Sequence, residues 1–222
     1  MTEIFKNLKS RISQIESGLG LDGIIDYEKL ESYQELTKAY LLLVHAELEK
    51  YFEVISVSIL YYAFDNYMEN ETIKIPLISA TSTNIFDFKH PDNFDDIKHK
   101  DGMSLKDRLS NSLSKFIKLA RQNNGIKSKD VFELLWTLGF TKEDIGENLL
   151  LMLDSLGSRR GFIAHTGNLI NTNLLNINDE KNNAKAIINE IECFDKIVEE
   201  KKFLETTIDI NKIESIIFTN NS

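Results

Sequence analysis

A single cysteine, Cys193, stands among the 222 residues, which excludes an internal disulfide, a CxxC metal site and a zinc framework. Only two prolines occur, Pro76 and Pro91, and the long stretches without proline are free to be helical. No run approaches the roughly 18 consecutive apolar residues that a membrane span needs, and Met1 to Lys9 is mixed and charged, unlike a signal peptide. The expectation is a cytoplasmic protein with no membrane segment. A Gly-rich phosphate loop, an internal repeat and a low-complexity tract are also missing, and no cofactor is expected. Positive charge is scarce, with 26 Lys and Arg against 35 Asp and Glu for a net −9. A surface that coats nucleic acid broadly is therefore excluded, and any phosphate site must be local.

What is present is 42 % apolar residues, enough to bury the core of one globular domain covering 1–222. Helical periodicity dominates. From about Tyr27 to Met68, the residues Leu41, Val44, Leu48, Phe52, Ile55, Ile59 and Tyr62 fall on one stripe at about 100° per residue. A shorter amphipathic segment, Ile4 to Ile15, precedes it and ends at the Gly18, Gly20, Gly23 cluster. Residues from about 70 to 102 lose the period and hold both prolines, which reads as a long inserted loop with at most a short hairpin around Ile73 to Ile78. Ser104 and Asp107 then suit a helix start, and that helix runs to about Asn123. Further helices are expected over Ser128 to Leu138, Thr141 to Leu156 and Asn178 to Leu204, with Gly139 as a stop. Gly157-Ser158-Arg159-Arg160-Gly161 reads as an interruption. The fold class is all-α, a helical bundle.

Arg160 and His165 have four residues between them, so a helical rise of about 1.5 Å per residue puts their backbones only about 7 to 8 Å apart. The pair offers a permanent cation to brace a phosphate and an imidazole that moves protons near neutral pH. RNA strand cleavage needs both, with the RNA's own 2′-OH as nucleophile. The same residue types also suit a structural role, with the arginines capping a helix end and the histidine satisfied locally.

On the long helix, Glu49 lies at the margin of the apolar stripe, from which it can reach a bundle cleft and orient Arg160 or His165; Glu47 points to the opposite side. An i,i+4 pair with His45 is its plainer role. Between residues 98 and 129, nine Lys and Arg face two Asp, a charge of +7 that leaves −16 for the remainder. There Leu105, Leu109, Leu113, Phe116 and Ala120 face one way while Arg108, Lys115 and Lys118 face the other. With Arg121 they form a candidate RNA-phosphate track, equally readable as a solvated basic face, and no aromatics interleave with them. Trp136 and Cys193 read as packing residues, and Asp195, Glu199 and Glu200 as a solvated helix face.

The segment Ser158-Arg159-Arg160-Gly161-Phe162-Ile163-Ala164-His165-Thr166 resembles the Arg-x4–6-His motif of the HEPN superfamily. Val44-His45-Ala46-Glu47-Leu48-Glu49-Lys50-Tyr51-Phe52 is similar to the first long helix of its RiboL-PSP branch, and the resemblance covers about residues 35 to 205. It implies an antiparallel helical bundle that dimerises so that two motifs meet in one cleft. The implied activity is metal-independent RNA cleavage leaving a 2′,3′-cyclic phosphate, in a toxin or phage-defence setting with an antitoxin or defence-system partner protein. Arg160 (or Arg159, at a spacing of five) and His165 are then the catalytic residues. Two positions depart from the pattern. Gly161 stands where many members carry Asn, Asp or His, and Gly167 where members controlled by nucleotidyl transfer carry tyrosine. A non-catalytic dimerisation or partner-binding module is the alternative.

Overall fold

The computed structural model describes residues 1–23, 25, 31–85, 105–166, 175–204 and 209–218, with the backbone alone at 84, 85 and 164–166. Among these residues the regular structure is helical, with no strand. The start of the long helix near Tyr27, most of the expected insertion, Ser104 and Gly167 lie outside the described residues.

Helix α1 (Glu3–Gly18) begins at Thr2, whose Oγ1 accepts from the Phe5 amide at 3.2 Å, the usual way of satisfying a free amide in the first turn. Its face Ile4, Phe5, Leu8, Ile12 and Ile15 packs on α2 (Gln34–Asn70). At 37 residues, α2 is about 55 Å long and forms the axis of the bundle. Every residue from Tyr51 to Leu60 is buried, because α1 and all the later long helices pack around this axis. The one-sided stripe read from the sequence is therefore the core of a helix covered on all sides at its middle.

The hairpin expected around Ile73 to Ile78 is instead a helix, α3 (Ile75–Ile85). Pro76 sits in its first turn, where the missing N–H costs nothing, and Leu77 and Ala80 are buried. Packing against α2 and α4 (Leu105–Gln122) decides the state; the apolar, β-branched run is locally compatible with either.

Helix α5 (Ser128–Thr137) ends before Gly139, whose φ of +89° is the left-handed value that favours glycine. One turn, α6 (Lys142–Ile145), follows, started by a reciprocal Thr141–Asp144 capping box. After Gly146 at φ +92° the chain enters α7 (Glu147–Thr166), a single helix of 20 residues. The interruption expected at 157–161 is absent. Glycine costs an exposed helix about 1 kcal/mol, and here Gly157 answers a packing demand, because a Cβ there would meet Lys127 Cγ at 2.9 Å.

Helix α8 (Ile177–Glu200) packs on α7, α2 and α1, and α9 (Ile210–Phe218) packs on α2 and α4. Asp195, expected on a solvated face with Glu199 and Glu200, is fully buried while the two glutamates are exposed. Its carboxylate accepts from the Thr2 amide at 2.7 Å and the Thr2 hydroxyl at 2.6 Å, so α8 clamps the start of α1. Cys193 is exposed rather than packed. Trp136, expected in the core, is 54 % exposed, because short α5 turns Val131, Leu134 and Leu135 inward and leaves the tryptophan on its outer side.

Candidate functional site

Helix α7 carries two arginines on different faces. Arg159 turns towards α8, where its Nη2 lies 3.2 Å from Glu180 Oε2 with side-chain exposures of 28 % and 8 %. Its Nη1 also donates to Ser155 Oγ at 2.6 Å. Burial holds the Glu180 pKa above its usual value, and the charge of Arg159 only partly offsets this. Arg159 is thereby engaged in holding α7 to α8.

Arg160, one residue on, lines an open cleft of about 470 Å³. Its walls come from α2, the end of α4, the turn after it and the start of α5, through His45, Asn123, Lys127, Lys129 and Asp130. Two contacts set α5 against α7. The Asp154 carboxylate accepts from the Ser128 amide at 2.8 Å, capping α5 from the neighbouring helix, and Gly157 admits the Lys127 stem. Lys127 and Lys129 are exposed beside Arg160, so three cations meet at this opening. Gly161 also lines it, with nothing within 4 Å of where a Cβ would stand.

His45, which lines the cleft, begins a polar ladder on α2 that continues with Glu49 and Glu53 at steps of four residues. His45 is 4 % exposed, and its Nδ1 lies 3.7 Å from Glu49 Oε2. Burial, reinforced by the charge of Arg160 and opposed by that of Asp130, lowers its pKa to about 4. The imidazole is thus neutral at pH 7, and its contact with Glu49 is not a charged pair. Glu49 is raised by burial, opposed by Arg160 and helped by Asp130, so both groups feel the cleft arginine. Glu53 is raised to about 7 by burial and by the charge of Glu49, against a 3.1 Å hydrogen bond donated by Asn123 Nδ2. Glu47, as expected, faces away, taking an ion pair from Arg11 of α1 at 3.0 Å.

The backbone of His165 belongs to α7; its side chain lies outside the described residues. Five residues of continuous helix turn the chain by about 500°, so the two Cα atoms of Arg160 and His165 stand about 140° apart around the axis. Of the RNA candidates, Arg108, Lys115 and Lys118 are exposed on α4. They share a face with Leu119 and Gln122, which line the cleft. Arg121 points elsewhere, its Nε donating to the Ile216 carbonyl of α9 at 3.2 Å and its Nη2 to the same oxygen. Sequence reasoning missed Lys127, Lys129 and Asn123 as cleft residues, although both lysines belong to the basic segment. Among the described residues no group of three His, Cys, Asp or Glu is placed to hold a metal ion, and no helix is long and apolar enough to cross a membrane.

An all-α bundle around one long central helix, with an Arg-x4-His sequence on a later helix, defines a HEPN-like domain. The RiboL-PSP-HEPN family profile matches residues 3–200, and the chain belongs to that family. HEPN domains are often ribonucleases or nucleotide-binding domains. Comparison with curated proteins and with solved structures finds no match.

Proposed function

We infer that the protein is an endoribonuclease that cleaves RNA through the 2′-OH without a metal ion, and that Arg160 works in the cleft it lines. The carrying observation is the division of labour on α7: Arg159 is held by Glu180 while Arg160 opens onto the cleft beside Lys127 and Lys129. In the reaction the 2′-oxygen attacks phosphorus, its proton passes to a base, and the P–O5′ bond breaks as an acid protonates the leaving oxygen. The products carry a 2′,3′-cyclic phosphate and a 5′-OH. His165 is the group of the motif that exchanges protons near pH 7, and Arg160 stabilises the charge that grows on the phosphorane-like transition state. Glu49, which feels the Arg160 charge, positions the guanidinium. Lys115, Lys118 and Arg108 lead the strand to the cleft.

One motif supplies one histidine and two proton transfers are needed, so two copies of the chain are proposed to join around a two-fold axis near the motif. Phe162, 56 % exposed between Arg160 and His165, supports contact there. A toxin or phage-defence effector, held by a partner protein, is the setting in which such an activity fits.

The test is cleavage of bulk tRNA and messenger RNA by purified protein with and without EDTA. Cleavage that persists in EDTA and ends in cyclic phosphate supports the reading; cleavage lost on chelation and restored by one divalent ion overturns the chemistry. Light scattering that finds an active monomer overturns the two-copy site.

A further inference from the structure

The outer side of α5 carries an aromatic pair, half-buried Phe132 and exposed Trp136, that the cleft chemistry leaves unused. Phe132 and Trp136 lie one turn apart with ring centroids 6.5 Å apart and planes 28° from parallel. Trp136 is 54 % exposed, and Lys142 stands 5.7 Å from the Phe132 ring centroid. Phe132 also lines a second groove, of about 340 Å³, together with Lys129, Lys142 and the 68 % exposed Leu151. Lys129 is common to this groove and to the Arg160 cleft. The two depressions therefore adjoin across one lysine. From Lys129 to Trp136 the helix advances only about 10 Å, and Lys129, Phe132 and Trp136 share one side of it.

Resting on the ribonuclease reading, we propose that the Phe132–Trp136 face is a stacking subsite for an unpaired base of single-stranded RNA whose backbone continues from the Arg160 cleft past Lys129. Three properties favour RNA over a protein segment. Its aromatic part is the half-buried Phe132 and the exposed Trp136, and a ring face takes any base without a hydrogen-bond code. Two cations stand by it, Lys129, 3.8 Å from Asp130 Oδ1, and Lys142 over the Phe132 ring, where a phosphate beside a stacked base needs them. Finally, the groove shares Lys129 with an opening that also gathers Arg160 and Lys127. Glu133 and Glu147, also exposed on these walls, limit the charge attraction, so stacking and not phosphate contact supplies the subsite's share of affinity. Single-stranded or looped RNA is then the substrate class, because bases in a duplex cannot leave their stack without a cost.

Trp136 is the chain's only tryptophan, so its fluorescence reports on this site alone. The experiment titrates the full chain with a short 2′-O-methyl oligoadenylate, which lacks the nucleophile and is not cleaved. Tryptophan quenching is followed beside the anisotropy of a labelled copy. Expected is quenching that saturates together with anisotropy, a loss of affinity of about 5- to 30-fold in Trp136→Ala, and near-recovery in Trp136→Phe, which keeps a ring. Binding without quenching, and unchanged in Trp136→Ala, overturns the subsite. So does a change of oligomeric state in Trp136→Ala with RNA affinity intact, which assigns the face to a second copy of the chain. If Arg160→Ala weakens binding and Trp136→Ala does not, the subsite fails and the cleft reading stands. Quenching and ring-dependent binding by a protein that cleaves no RNA keeps the subsite and removes the catalytic reading. An absence of any oligonucleotide binding removes both.

Discussion

Arg159 and Arg160 are adjacent in the chain, yet about 100° of helical rotation sends them into opposite surroundings. On the α8 side Arg159 meets a buried carboxylate and a serine hydroxyl and is consumed by them. On the α2 and α5 side Arg160 meets solvent, two lysines and the polar pair His45 and Glu49, whose ionisation it shifts. The closed face trades an arginine for the attachment of one helix to another, while the open face keeps its cation available to a ligand. Which of two like residues serves function is decided by what stands opposite each.

The strongest way to break this comparison is to remove each residue in turn and measure cleavage and stability together. His165→Ala should lower cleavage by at least ~10²-fold, the low end of what a positioned acid or base contributes, and Arg160→Ala should fall comparably through lost charge stabilisation. Arg160→Ala should melt within a few degrees of the wild type, since it lines an open cleft. An Arg160→Ala protein that unfolds, or that cleaves normally, would collapse the distinction between the two faces.

Arg159→Ala is the opposite case. It strands Glu180, 8 % exposed, without its counter-ion. Full burial would make that loss severe, but Arg159 is partly hydrated, so about 2 kcal/mol is expected. Cleavage by the protein that remains folded should change only a few-fold. Urea denaturation beside initial rates checks this, and a stable but inactive Arg159→Ala would shift the motif's working arginine by one position.

The polar ladder of α2 carries a pH signature. Glu53 titrates at about 7 in the folded chain against about 4.3 unfolded, so between those values the folded state holds the extra proton and stability falls as pH rises. For His45, at about 4 folded against about 6.5 unfolded, the sign reverses and stability is lost as pH falls from 6.5 towards 4. Glu53→Gln should therefore gain stability relative to wild type as pH rises from about 4.5 to 7, by an amount of order 2 kcal/mol. Its His45 slope should remain on the acid side. Parallel melting curves across that range, with a constant difference, would mean that Glu53 is not the buried proton holder described.

The smallest effect concerns the approach to the cleft. Neutralising Arg108, Lys115 and Lys118 should flatten the dependence of log affinity on log salt by about 0.7 for each RNA phosphate that is no longer neutralised, with kcat little changed. Arg121→Gln should leave that slope alone, because its guanidinium already serves the Ile216 carbonyl. An unchanged slope in the triple variant would return this face of α4 to simple solvation.

The sequence by itself determined the all-α class, the position and core stripe of α2, the amphipathic basic face of α4 and the place of the motif. Each of these is written at short range, in a period of 3.6 residues and in the residues that begin and end helices. Only the tertiary structure decided that α3 is helical and that α7 continues through Gly157 and Gly161. The same holds for the burial of Asp195 and Glu53, the exposure of Trp136, and the choice of Arg160 over Arg159 to face the cleft. These outcomes depend on the neighbour a residue meets. Lys127 crosses Gly157, Thr2 reaches Asp195, and Glu180 captures Arg159, pairings between residues more than 20 positions apart that no helical wheel contains.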